Sequence, residues 1–187
     1  MRVRSALLAV VLAAVSLGVA APMVSAQAAA ATPGYCGISW GSLSKAAANT
    51  TISSLTNIRG GRHACYDRLV LDFAGKTDGY WVRYVDQVRN GGDGYVVPVR
   101  GGAKLQITSA GLAYDDDGNS TYDPPVSHSE LVNVTGWQTF RQVTNASHIV
   151  ENTDIGLGVR ARLPYRVFYL DGPGAGSRLV IDVAHRW

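Results

Sequence analysis

One strand pattern occurs twice in this chain and restricts its fold more than any other feature. Arg68-Leu69-Val70-Leu71-Asp72-Phe73 and Arg178-Leu179-Val180-Ile181-Asp182-Val183 both read Arg-Leu-Val-aliphatic-Asp-apolar. Side chains alternate between the faces of a strand, so each copy turns three apolar residues one way and an arginine with an aspartate the other. Within one copy those charges lie roughly 13 Å apart at about 3.3 Å per residue, beyond pairing distance. If the copies are antiparallel neighbours, Arg68 falls opposite Asp182 and Asp72 opposite Arg178. Coincidence is the competing reading, because Arg-Leu-Val-x-Asp is an ordinary strand sequence.

The second copy closes a hairpin. Tyr165-Arg166-Val167-Phe168-Tyr169-Leu170 is rich in aromatic and β-branched residues, as a half-buried strand requires. Asp171-Gly172-Pro173-Gly174-Ala175-Gly176 cannot extend it, since it combines left-handed conformational freedom with a missing amide donor. Upstream, the chain reads as short strands between glycine-rich turns. These are Tyr66–Phe73, Tyr80–Val85, an extended piece Tyr95–Val97, Lys104–Ala110, Leu131–Val134, Thr139–Val143, Ser147–Glu151 and Gly156–Leu163. Asp115 to Pro125 is a long polar loop between them. Strands this short and this regularly spaced predict an all-β fold, a β-sandwich of short antiparallel strands with an internal pseudo-repeat.

The first residues read differently. Arg2 and Arg4 precede an apolar run, Ala6 to Ala21, and Val24-Ser25-Ala26 offers a cleavage site, which predicts an export signal over residues 1–26. Cleavage would remove both arginines and lower the formal charge of +3 by two, leaving little basicity for a nucleic-acid partner. Insertion in a membrane after signal removal is not expected. In an exported chain the two cysteines, Cys36 and Cys65, predict one disulfide, which ties an amino-terminal extension (residues 27–58) onto the β domain (residues 59–187). Within the extension, Trp40 and Leu43 are expected to pack as a plug, and Lys45 to Asn49 to form a helical turn.

Several motifs suggest chemistry without its context. Gly37-Ile38-Ser39-Trp40-Gly41 fits the nucleophile-elbow spacing, but no strand precedes it. His63, His128, His148 and His185 stand apart from one another, so no zinc pair forms in sequence and no cofactor is called for. Asp115, Asp117 and Asn119 resemble the start of a calcium loop, yet Ser120 replaces its glycine and Val126 its terminal glutamate.

Longer segments carry a family resemblance. They are Gly61-Arg62-His63-Ala64-Cys65-Tyr66-Asp67-Arg68-Leu69-Val70, the run Gly156 to Phe168, and Ser177 to Trp187. They resemble a family of exported actinobacterial proteins, the AMIN-like domain family, over about residues 36 to 187. The closing hairpin is also similar to the end of the AMIN domain, a pseudosymmetric β-sandwich found beside envelope amidases and secretins. The resemblance implies a secreted, non-catalytic cell-envelope module that binds peptidoglycan, another envelope polymer or an envelope protein.

Recognition of such a polymer by a sheet face needs aromatic planes for sugars and arginine forks for carboxylates. Alternation along Tyr80–Val85 places Trp81 and Arg83 together, and along Gly156–Leu163 it places Arg160 and Arg162 opposite the apolar residues. Trp81, Arg83, Arg160 and Arg162 are therefore the first candidate binding patch; read structurally, the same arginines are solvated or paired and Trp81 covers the core. A second cluster, Arg62, His63, Asp67 and Arg68, lies beside Cys65. It suggests either a small secreted wall hydrolase or a hydrogen-bonded corner. A secreted protein-binding or inhibitor domain is a further alternative.

Overall fold

The structure, a computed structural model, describes residues 34–125, 127–147 and 152–187. The expected export signal lies outside these residues, as does most of the predicted strand Ser147–Glu151. A 3-10 turn, Tyr35–Gly37, leads into eleven strands among the described residues. They are β1 (Lys45–Ala47), β2 (Leu55–Arg62), β3 (Tyr66–Phe73), β4 (Tyr80–Val85), β5 (Val88–Arg89), β6 (Val96–Val97), β7 (Ala103–Ser109), β8 (Phe140–Asn145), β9 (Thr153–Val159), β10 (Tyr165–Asp171) and β11 (Ser177–Ala184).

The repeated pattern sits at the centre of one sheet. That sheet has the order β10-β11-β3-β2, and β11 runs antiparallel to β3 with Arg178 opposite Asp72 and Asp182 opposite Arg68. The two copies are thus neighbours in the register that pairs their opposite charges. A second antiparallel sheet has the order β1-β4-β7-β9-β8. The inward residues of both sheets form one core: Leu69, Leu71 and Phe73 with Leu179, Ile181 and Val183, against Val82, Leu105, Ile107, Ile155 and Leu157. Tyr165 is fully buried there, and its hydroxyl donates to the carbonyls of Leu43 and Val82. This is the all-β sandwich that the strand pattern predicts.

On the outside of the five-stranded sheet, the chain between β4 and β7 forms a strap. Its β5–β6 ribbon and Val99 enclose a small second core with Ala146. The strap lies directly on β9, where a side chain at Gly156 would meet Val99, Thr144 and Val88. One at Gly158 would come within 1.8 Å of the Arg100 carbonyl. The alternate glycines of Thr153–Val159 are therefore required by close approach. Gln106 and Gln142, buried beneath the strap, satisfy its backbone at Arg89 and Arg100.

Four expectations are corrected. Lys45–Ala47 is a strand on the edge of β4, not a helical turn. Leu43 is 78% exposed and plugs nothing, although Trp40 does pack, 5.9 Å from the Tyr66 ring. Leu131–Val134 is irregular; Leu131 and Val134 join the core without sheet pairing. Strand β9 ends at Val159, so Arg160 and Arg162 lie in the bend before β10 and do not share a strand face. The structure also adds β2, which begins at Leu55 within the segment assigned to the extension. Its sequence, Leu-Thr-Asn-Ile-Arg-Gly-Gly-Arg, buries only Leu55 and Ile58 and carries a bulge, so period-two alternation is missing. The Cys36–Cys65 disulfide is formed, with Cα atoms 6.5 Å apart.

Candidate functional site

The outer face of the four-stranded sheet gathers the side chains suited to binding. Strand pairing sets Arg166, Asp182 and Arg68 in one row across β10, β11 and β3. The Asp182 carboxylate is fully buried and receives both guanidiniums. Arg68 donates Nε to Oδ1 at 2.6 Å and Nη2 to Oδ2 at 2.9 Å, while Arg166 approaches Oδ2 at 2.8 Å. Asp182 holds the Arg68 guanidinium firmly protonated, its pKa raised above the already high ordinary value. Two arginines on one aspartate leave one positive charge in surplus.

Aromatic rings surround this row. Phe168, the next outward residue along β10, lies 5.0 Å from the Arg166 guanidinium and 5.7 Å from that of Arg68. Tyr66 stands 5.4 Å from the Arg166 guanidinium and 5.2 Å from that of Arg68, and Trp40 lies 5.5 Å from Arg166. Trp40 is brought there by the disulfide-tied segment, and its indole N–H donates to the Tyr35 carbonyl. Ring faces and the buried carboxylate together fix both forks before any partner arrives. Among the described residues, Nη1 of neither arginine makes a hydrogen bond, so each retains donors for a partner. Further along the sheet, Arg59 forms an exposed fork on Asp72.

Of the first candidate patch, the structure joins only Trp81 and Arg83. Arg83 stacks on the Trp81 ring at 3.4 Å from its centroid, so that indole face already has an occupant. Arg162 lies over Tyr84 at 4.7 Å and reaches the Ser42 carbonyl. Arg160 donates to the His185 carbonyl near the end of β11.

The second cluster divides across its own strand. Asp67 points inward, is buried, and accepts the backbone N–H groups of Thr139 and Phe140 at 2.7 and 2.9 Å. Arg68 points outward to Asp182. His63 is exposed and stacks on Tyr66 at 4.5 Å, and no hydrogen bond joins its ring to Asp67. His185 lines a shallow concavity with His63 and Asp67, but its nitrogens are 2.8 Å from Thr139 Oγ1 and 2.9 Å from the His63 carbonyl. In the acidic loop, Asp115 accepts the side-chain and backbone amides of Asn119, and then the Asp117 N–H, which lower its pKa in that order of importance. No group of three or more His, Cys, Asp or Glu with the makings of a metal site lies among the described residues.

Sequence reasoning missed Arg166, Phe168, Tyr66 and Trp40 as one surface, although its signals were present. The register of the two Arg-Leu-Val copies places Arg68 on Asp182, and the hairpin places Arg166 there from the other side.

Fold and face together define a disulfide-tied β-sandwich with two paired guanidiniums and aromatic rings on one sheet surface. The profile of the AMIN-like domain matches residues 53–185, and the chain belongs to the AMIN-like family, whose domains are of the envelope-associated type. No curated protein and no solved structure matches the chain significantly. No helix among the described residues is long and apolar enough to cross a membrane.

Proposed function

We propose that this chain is an exported, non-catalytic module that binds a carboxylate-bearing envelope polymer, peptidoglycan first, through the Arg68–Arg166–Phe168–Tyr66–Trp40 face. The observation that carries the reading is the pair of guanidiniums fixed on one buried carboxylate, with a surplus charge and unspent donors beside aromatic rings. A peptide carboxylate meets the forks, and the ring faces accept apolar or sugar C–H surface. The disulfide supports a location outside the cytoplasm. The non-catalytic reading is supported by the corner around His63, where Asp67 and His185 both serve the backbone and no acid–base pair is assembled.

Co-sedimentation with purified cell-wall sacculi tests the proposal. The wild-type protein is expected in the pellet beyond an unrelated secreted protein of similar charge. Arg166→Gln, which leaves Arg68 on Asp182, is expected to lose at least half of that retention while melting normally. Equal retention of wild type and Arg166→Gln refutes the assigned face; no retention of the wild type refutes the polymer. Release of wall fragments by the wild type, abolished in His63→Ala, would replace this reading with a hydrolase.

A further inference from the structure

The four-stranded sheet ends in an open strand edge. β10 pairs with β11 on one side, through seven consecutive residues without a bulge. On its other side a single antiparallel bridge, Gly41 to Tyr165, starts a ladder that the described chain does not continue. Alternation fixes which groups are left over. Tyr165 donates its N–H outward to Gly41, whereas the Pro164 carbonyl and the Gly172 N–H bond toward β11, at Ala184 and Gly176. Tyr165, Val167 and Tyr169 therefore aim their backbone groups away from β11. Among the described residues, neither the N–H nor the carbonyl of Val167 and Tyr169 has a hydrogen-bond partner on that side.

The other edges of the two main sheets carry the features that keep strand edges from pairing. β1 is three residues long and opens with Lys45, and β2 is bulged and carries Arg59 and Arg62. β8 is covered by residues 128–131, which bond to Val143 and Asn145. From Val167 onward, β10 has no proline, lysine or bulge.

What pairs there is set by the outward side chains. Arg166, Phe168 and Leu170 share the outer face of β10, and Leu170 is 38% exposed. Trp40 stands beside Arg166, so an added strand has room from Val167 on. In such a strand the residue opposite Phe168 lies diagonal to Arg166, within reach of a long side chain. Arg166 and Arg68 share one aspartate and keep a surplus positive charge. A glutamate at that place meets the charge, whereas a second copy of this chain would bring its own surplus against it. An apolar residue opposite Leu170 covers the exposed leucine.

We propose that the edge of β10 receives an extended peptide of a partner protein as an added antiparallel strand, with the pattern apolar-x-Glu read from Leu170 to Phe168. Val167 and Tyr169 supply the main-chain hydrogen bonds, and Arg166 selects the acid. The proposal goes beyond polymer binding and does not rest on it, although both use Arg166.

NMR titration and amide exchange of the isotope-labelled protein with acetyl-Thr-Thr-Leu-Thr-Glu-Thr-amide, carried to millimolar peptide, test it. The Val167 and Tyr169 amides are expected to exchange fast in the protein alone, then to shift and become protected as the peptide saturates. Methylating the nitrogen of the threonine between leucine and glutamate, or replacing the glutamate by lysine, is expected to weaken binding about tenfold. Val167→Pro removes an edge N–H at a position where proline is tolerated. It is expected to abolish peptide binding and leave retention on sacculi unchanged, so failure of the edge and failure of the polymer reading are told apart. Absence of saturable shifts at β10 overturns the proposal. So does slow exchange of both amides before peptide is added, or equal affinity for either altered peptide.

Discussion

Asp72 and Asp182 occupy the same position in the repeated strand pattern, yet they should differ sharply in what they contribute. Asp182 has no exposed side-chain surface and carries Arg68 and Arg166, whose side chains are 22% and 30% exposed. Asp72 is 20% exposed and carries Arg59, which is 50% exposed. Substituting Asp182→Asn keeps the shape but leaves two guanidiniums side by side without their shared charge and turns amide hydrogens toward one of them. Removing one member of a buried pair costs about 3–5 kcal/mol, and the partial exposure of both arginines puts this case at the low end, about 3 kcal/mol. In a domain of this size that corresponds to a fall in melting temperature of about 6–12 °C. Asp72→Asn breaks a surface pair worth about 0–1 kcal/mol, a shift of at most about 4 °C. Thermal melts at neutral pH with the disulfide intact measure both. Adding 1 M salt, where the Debye length is about 3 Å, should erase the Asp72 difference and leave most of the Asp182 one. If Asp182→Asn costs no more than Asp72→Asn, the argument that burial makes Asp182 the keystone of the arginine face is wrong.

Two further outcomes follow from the packing of the five-stranded sheet. Gly158→Ala would force a methyl group into the Arg100 carbonyl, which belongs to backbone and cannot swing aside; about 3 kcal/mol of destabilisation is expected in urea unfolding, with faster amide exchange at Arg100. An unchanged midpoint would mean that the strap does not rest on β9. Asp154 is buried, and burial raises its pKa although Thr108 donates to it at 2.5 Å and Arg83 pulls the other way. A carboxyl raised in the folded state binds protons more tightly there than in the unfolded chain, so its contribution to stability declines as pH rises from the unfolded value, about 3.9, through the folded one. Asp154→Asn should therefore be at least as stable as wild type at pH 7, with the advantage vanishing toward pH 4 in paired melts; an advantage that grows with acidity refutes this.

Much of the fold can be read directly from residue types. The strands Tyr66–Phe73 and Tyr80–Val85 have the expected bounds, because both alternate strongly and end in glycine-rich turns. The disulfide followed from two cysteines in a chain whose first residues read as an export signal. Where local pattern is weak, tertiary packing supplied what the sequence did not display. Strand β2 has two glycines and a bulge, and it exists because β3 offers it a ladder and because Trp137 and Val132 close over Gly60. Leu131 and Val134 look like a strand but spend their burial on the core from an irregular segment.

The candidate face divides along the same line. The amino-acid sequence by itself determined that Arg68 and Asp182 occur at matched positions of two strands, that Arg166 lies on the strand folded back from the second, and that aromatic residues flank them. Only the tertiary structure decided that these strands are neighbours, that Asp182 takes both arginines while Asp72 takes Arg59, and that Trp40 comes over the row. The reason is physical. Alternation along a strand specifies which way a side chain points, whereas its partner depends on register and on contacts between residues as far apart as Arg68 and Asp182, which no local pattern contains.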